Sequence, residues 1–364
     1  MRFLIRLFLV FLISNHIFAD EPFKGSYVLV KSEFVFQAKD VPFPSCHAST
    51  VVETKEGLII SWFGGTKEKG PDDGIWISTF SGKNWTNPIE VANGIQAKGK
   101  RFPTWNPVLF NTGSEIKLFY KVGPSPRSWW GEVISTSGNF QNWSKPVKLP
   151  KDIFGAIKNK PVLLPNGELL SPSSTEDNGW RVHMEISPDL GRTWSRTEAI
   201  NDGKKVSVIQ PTVLLHPMEK VQMLCRSMNN DVLSSWSSDN GRTWSSFKSI
   251  ELPNPNSGID AVTLKDGSHV LIYNHVACKK GEKWGDRNVL NMAISKDGLN
   301  WEAAVLLEND NDKDSEYSYP AVIQTNDGMI HITYTWNRKL IKHVVVDPKK
   351  IKSQPILKGV WPNE

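Results

Sequence analysis

Ser187-Pro-Asp-Leu-Gly-Arg-Thr-Trp194, Ser237-Ser-Asp-Asn-Gly-Arg-Thr-Trp244 and the one-residue-shorter Ser295-Lys-Asp-Gly-Leu-Asn-Trp301 are three copies of one phrase. Degenerate versions end at Trp85 and Trp143, so five tryptophans follow one another at intervals of 58, 51, 50 and 57 residues. A period of about fifty residues marks supersecondary units that are stacked or arranged radially. The physics of the phrase is local. Ser and Asp side chains close a tight turn onto backbone N–H groups, Gly takes the positive-φ position, and Trp packs back between neighbouring sheets. These Asp residues are therefore structural, and none is expected to be catalytic.

Each phrase is preceded by two further matched segments. The first opens on a polar residue and turns apolar: His47-Ala-Ser-Thr-Val, Asn106-Pro-Val-Leu, Lys160-Pro-Val-Leu, Gln210-Pro-Thr-Val, Asp260-Ala-Val-Thr and Tyr319-Pro-Ala-Val. A turn follows, ending in several copies in Asn-Gly or Asp-Gly (Asn166-Gly167, Asp266-Gly267, Asp327-Gly328), a strong hairpin signal. A second apolar run comes next, at residues 58–63, 116–120, 168–171, 221–225, 269–273 and 329–334. A third alternating strand leads into the Asp turn, and a fourth strand forms the edge. Four strands in each of six repeats, with no helical periodicity beyond the leader, predict an all-β chain: a six-bladed β-propeller with Asp-box turns. The last repeat lacks the Asp turn, while the strand-like segment 26–37 is unclaimed. It is expected to complete the last blade and so remove the exposed edges at the seam.

The chain has 364 residues, enough for two ordinary domains, but the repeats argue for one propeller over residues 20–364. Residues 1–19 read as a signal peptide: Arg2 and Arg6 start it, residues 7–13 are apolar, and Phe18-Ala19 precedes Asp20. The mature protein is expected to be secreted or periplasmic, because no later run reaches the ~18 apolar residues of a membrane helix. Without the leader, 41 basic residues face 38 acidic ones, too even a balance for a nucleic-acid partner. Three cysteines allow at most one disulfide, and neither they nor the eight histidines show metal-ligand spacing. No metal site or cofactor is expected, and the protein is read as a monomer whose partner is a glycan.

In a propeller the innermost strands line the axis, and their starts gather at one end. The six openers His47, Asn106, Lys160, Gln210, Asp260 and Tyr319 are thus expected to ring the floor of a shared pocket. An amide pair, a cation, a carboxylate, a His and a Tyr suit a polyhydroxylated ligand. Three loops add candidates: Arg127 beside Trp129 and Trp130, Glu176 with Arg181, and the polar run from Asn254 to Asp260.

The Asp-turn repeats with an N-terminal leader resemble the sialidase (neuraminidase) superfamily, in its BNR-repeat branch, over roughly residues 40–346. The resemblance implies a six-bladed propeller that clamps a substrate carboxylate between three arginines. It also implies a tyrosine nucleophile activated by a glutamate, and an acid/base Asp on a loop. Planar guanidinium forks match a carboxylate, which gives the clamp its physical reason. Arg226 falls at the second clamp position and Arg287 at the third. The segment Glu316-Tyr-Ser-Tyr-Pro-Ala-Val resembles the nucleophile segment, with Tyr319 or Tyr317 as the tyrosine. Two departures stand out. His47 opens the first blade where the first clamp arginine would sit, and Gln210 opens the fourth where the activating glutamate would sit. Glutamine cannot accept the nucleophile's proton. The acid/base loop corresponds to residues 64–73, offering Glu68 and Asp72, and Arg127 or Arg181 are candidates to replace the missing arginine. The expected function is hydrolysis of a glycoside of a terminal acidic sugar, sialic or uronic. The alternatives are a uronate lyase using His47 or a tyrosine as base, and a non-catalytic acidic-glycan-binding propeller.

Overall fold

The computed structural model describes residues 28–138, 140–279 and 281–362. The leader at 1–19 lies outside these. Runs such as Val221–Ser227 are buried along their whole length, as a strand must be when other sheets cover both its faces. Every repeat supplies one such run as its second strand. Around it the repeat folds into one antiparallel sheet, giving six sheets in all among the described residues.

Blade 1 holds Ser45–Thr54, Gly57–Gly65, Gly74–Phe80 and Ile89–Asn93. Blade 2 holds Thr104–Asn111, Ile116–Val122, Trp130–Thr136 and Val147–Lys148. Blade 3 is thinner, with Val162–Leu163, Leu169–Thr175, Arg181–Ser187 and Ser195–Arg196. Blade 4 holds Val208–Leu215, Val221–Ser227, Asp231–Ser237 and Lys248–Pro253. Blade 5 holds Asp260–Thr263, His269–Tyr273, Val289–Ser295 and Trp301–Asn309, with Gln354–Pro355 added at its edge. Blade 6 takes Tyr317–Gln324, Ile330–Trp336 and Leu340–Val346 from the end of the chain. Its fourth strand is Leu29–Phe34, paired antiparallel to Leu340–Val346, so the ring closes as the repeat pattern requires. The only helical segments among the described residues are three short 3₁₀ turns, and no described helix is long and apolar enough to cross a membrane.

The Asp turns have the geometry their composition demands. Asp239 Oδ1 accepts the N–H groups of Arg242 and Thr243, its Oδ2 accepts the Thr243 hydroxyl, and Ser237 Oγ takes the Gly241 N–H. Asp189 repeats the pattern, and its carboxyl sits at about 2, held there first by the Thr193 N–H. The tryptophans that end the phrases pack backwards into the preceding blade: Trp194 against Val108 and Phe119, Trp301 against Leu214 and Leu224.

One irregularity positions the site. In four blades the innermost strand carries a bulge near its start, where two residues oppose one on the neighbouring strand. The inserted pairs are Ala48-Ser49, Asn106-Pro107, Gln210-Pro211 and Tyr319-Pro320, and the first of each pair has a left-handed φ of 57°, 30°, 55° and 52° respectively. A proline after a polar residue is thus the sequence mark of the bulge in three blades. The equivalent of Gln210 in blade 1 is Ala48, so the opener His47 precedes its bulge by one residue.

Candidate active site

Bulged starts of the inner strands and the connections between second and third strands lie at the same end of every blade. Arg226 comes from the second strand of blade 4, beside the bulge at Gln210. It is 2 % exposed. Its Nη1 donates to Tyr319 Oη at 2.8 Å and to Gln210 Oε1 at 3.2 Å, its Nε donates to Asn256 Oδ1 at 3.3 Å, and its Nη2 bonds the Asn256 carbonyl. Trp180 and Trp284 place their rings 5.2 and 5.5 Å from the guanidinium carbon. Every direct partner is neutral. Burial pulls Arg226 down from its ordinary range, yet a guanidinium stays protonated in proteins. Holding such a charge away from water with no ion pair in direct contact costs on the order of several kcal/mol.

Tyr319 joins three blades at this point. Its hydroxyl oxygen accepts from Arg226 and, at 3.4 Å, from Gln210 Nε2. Its ring lies 4.1 Å from the ring of His47 and packs against Gly258. His47 is buried and held well below its usual range, by burial first and then by Arg338, so it is a neutral imidazole. Its Nδ1 has no hydrogen-bond partner among the described residues.

A chain of alternating charges runs past this cluster. Arg287 Nη1 donates to Glu316 Oε1 at 3.2 Å, Arg338 Nε to Glu316 Oε2 at 2.8 Å, and Arg338 Nη1 to Glu68 Oε2 at 2.5 Å. Burial works against ionisation of Glu316, but the guanidinium groups of Arg338 and Arg287 overcome it and bring the carboxyl down to about 2. Arg338 was not among the sequence candidates. It sits with Asn337 on the tight left-handed turn of blade 6 (φ 50° and 52°), and only the position of that hairpin at the pocket end would have drawn attention to it.

Other candidates are placed elsewhere. Tyr317 is turned into the core between blades 5 and 6, where its hydroxyl donates to Asp310. The bulge between Ser318 and Ala321 separates it from Tyr319, so the two do not share a pocket face. Asp72 is exposed and accepts Thr66 N at 2.7 Å and Thr66 Oγ1 at 2.6 Å. These bonds from Thr66 lower its carboxyl, which makes it a turn-forming anion and a poor proton donor at neutral pH. Its neighbour Asp73 is buried and pushed up to about 7, by burial and then by Asp72 and Glu68.

The expected six-membered floor ring is broken at blades 3 and 5. Lys160 pairs with Asp260 at 2.9 Å, and Asp260 also accepts from Thr212 Oγ1 and the N–H groups of Ala261 and Val322. Asp260 thus ties three inner strands together. Lys158, missed from the sequence, lies beneath Tyr319 and donates to the carbonyls of Ile259 and Pro320. Burial brings it down to about 7. Asn159 bonds the carbonyls of Gln210 and Pro211. Asn106 is buried in the bulge of blade 2. Glu176 accepts from Trp180 Nε1 at 3.2 Å and is raised above its usual range, by burial against the opposing pull of Arg226. Arg127 and Arg181 do not reach the Arg226 cluster as clamp residues. Both line a separate cavity between blades 2 and 3. Among the described residues no group of three or more His, Cys, Asp or Glu is placed to hold a metal ion.

A family model described as BNR repeat-like domain matches residues 56–332. No curated protein matches the chain. Among solved structures, a protein of unknown function from Dyadobacter fermentans superposes with a TM-score of 0.70 at 17 % identity, over 88 % of this chain and 98 % of that one. The NanB sialidase of Streptococcus pneumoniae gives 0.68 at 12 % identity, over 88 % and 71 %. The intramolecular trans-sialidase of Ruminococcus gnavus, in complex with oseltamivir carboxylate, gives 0.67 at 12 % identity, over 90 % and 99 %. At these identities the likeness is one of fold.

Proposed function

The chain belongs to the BNR repeat-like domain family, and from that membership and the buried cation on its axis we propose that it is a sialidase-like glycosidase that removes a terminal acidic sugar from glycans. The observation that carries the reading is Arg226, a fully buried charge whose direct partners are all neutral. A sugar carboxylate supplies the missing anion, with Arg287 and Arg338 adding positive potential behind Glu316. In this reading Tyr319 attacks the anomeric carbon, its oxygen held in place by donors from Arg226 and Gln210. Gln210 takes no proton, which leaves His47, its ring 4.1 Å from the Tyr319 ring, as the neighbouring neutral base in this reading. Glu176, raised above its usual range by burial, is the proton donor to the departing oxygen in this reading.

The test is to incubate the protein with sialylated and uronate-terminated oligosaccharides and weigh the products. A released acidic sugar carrying one added water supports the reading. A full panel returned unchanged sinks it and leaves a binding propeller. One observation favours a second outcome: neutral His47 beside Tyr319 also suits abstraction of the proton α to a clamped uronate carboxylate. An unsaturated uronate with no water gained identifies that lyase.

A further inference from the structure

A cavity of about 680 Å³ opens between blades 2 and 3, off the axis. Its volume is that of a small-molecule site, and it is built from rigid parts. Glu185 is fully buried beneath it and accepts the N–H groups of Phe154 and Gly155 at 2.8 Å each, with His183 Nε2 at 3.2 Å. Lys121, also buried, reaches the Ala156 carbonyl from the blade 2 side.

The walls mix cations and carboxylates in even proportion, four of each counting Lys151 and Asp152, among them Arg127, Arg181 and Arg196 against Glu176, Asp177 and Glu198, with Phe154 and Trp194 between them. Balanced charges select no ion, but they offer donors and acceptors to hydroxyl groups, while aromatic faces take the C–H face of a pyranose.

One short turn joins this cavity to the axis. Residues 176–180 begin with Glu176 on the cavity wall and end with Trp180 on the face of Arg226. We propose that the cavity between blades 2 and 3 is the subsite for the neutral sugars to which the acidic terminal residue is attached, the leaving group departing across Glu176. This rests on the axial site taking the acidic sugar, and it adds that the preferred substrate is an oligosaccharide.

The experiment measures binding by calorimetry of two probe sets: neutral tetrasaccharides of galacto-, gluco-, manno- and xylo-configured chains, and free sialic and glucuronic acids. The proteins are the unaltered chain, Arg127→Ala, Arg196→Ala and Arg226→Ala. At least one neutral tetrasaccharide is expected to bind, about tenfold more weakly to Arg127→Ala or Arg196→Ala and unchanged to Arg226→Ala. The free acids are expected to show the reverse. Failure of every neutral tetrasaccharide to bind, or equal weakening by all three substitutions, overturns the subsite. Failure of the free acids alone overturns the axial reading and leaves the neutral subsite standing.

Discussion

Arg226 is held by two amides, a phenol and a backbone carbonyl, with two indole rings beside it. These contacts fix its direction and do not cancel its charge. Such a residue is expensive for folding and favourable for an anion, so stability and binding should move in opposite directions when it is replaced. Arg226→Met keeps most of the side-chain volume and removes the charge. Its midpoint in urea is expected to equal or exceed that of the unaltered protein, because apolar replacements of buried charges are often neutral or stabilising. Its affinity for a terminal acidic sugar is expected to fall about 100-fold or more, the usual scale for losing one member of a buried charge pair. A structural arginine would give the opposite: a large loss of stability, with binding reduced only in proportion to unfolding. Arg226→Lys is expected to rescue little, since an ammonium group cannot reproduce the two-pronged geometry.

At the scale of elements, the Asp turns and the bulges divide the work between the two ends of each blade. The turn at Asp239 takes two N–H groups and a hydroxyl on one carboxylate, at the end of blade 4 away from Arg226. Asp239→Ala is expected to cost about 1–3 kcal/mol in urea unfolding and to leave acidic-sugar affinity unchanged; an equal loss of binding would contradict the division. The turns were legible because Ser, Asp, Gly and Trp carry their geometry within eight residues, and the six polar strand openers that precede them gave the number of blades. Gln210 and Tyr319 were legible for a similar local reason, as each is a polar residue before a proline at the start of a strand. What lay beyond reach depended on the bulge. Whether Tyr317 or Tyr319 faces the axis turns on one inserted residue between Ser318 and Ala321, and alternation alone puts both on one side. Arg338 was hidden for another reason. It reaches Glu316 across a hairpin and Glu68 across the seam between blades 6 and 1, contacts of 22 and 270 residues separation that no local pattern encodes.

At the scale of the whole molecule, the packing that closes the ring also fixes its response to acid. Six histidines, His47, His216, His269, His275, His331 and His343, lie in or against the cores between strands, and burial leads the causes that lower each one. His269 and His275 come down to about 4. His331 and His343 share a 2.9 Å hydrogen bond, and His343 meets Glu33 of the closing strand. A histidine lowered in the folded chain remains neutral there while the unfolded chain, near 6.5, takes up a proton. Unfolding therefore binds protons between about pH 6.5 and 4, and stability falls as pH falls through that window. Asp73, raised to about 7, acts with the opposite sign: its carboxyl is protonated in the fold and ionised in the unfolded chain over the same range. Glu176 is raised in the same direction. Six histidines against two carboxyls leave a net uptake of more than about one proton on unfolding near pH 5. Urea unfolding followed from pH 7 to pH 4.5 measures that number directly as the slope of the unfolding free energy against pH. The slope is expected to be positive throughout, and smaller by about one proton in His269→Gln, which keeps a hydrogen-bonding side chain near Thr263 but cannot be charged. Asp73→Asn is expected to steepen it. A flat profile in the unaltered chain would mean that these histidines gain solvent or partners on protonation, and that the ring opens at its histidine-lined seams before it unfolds.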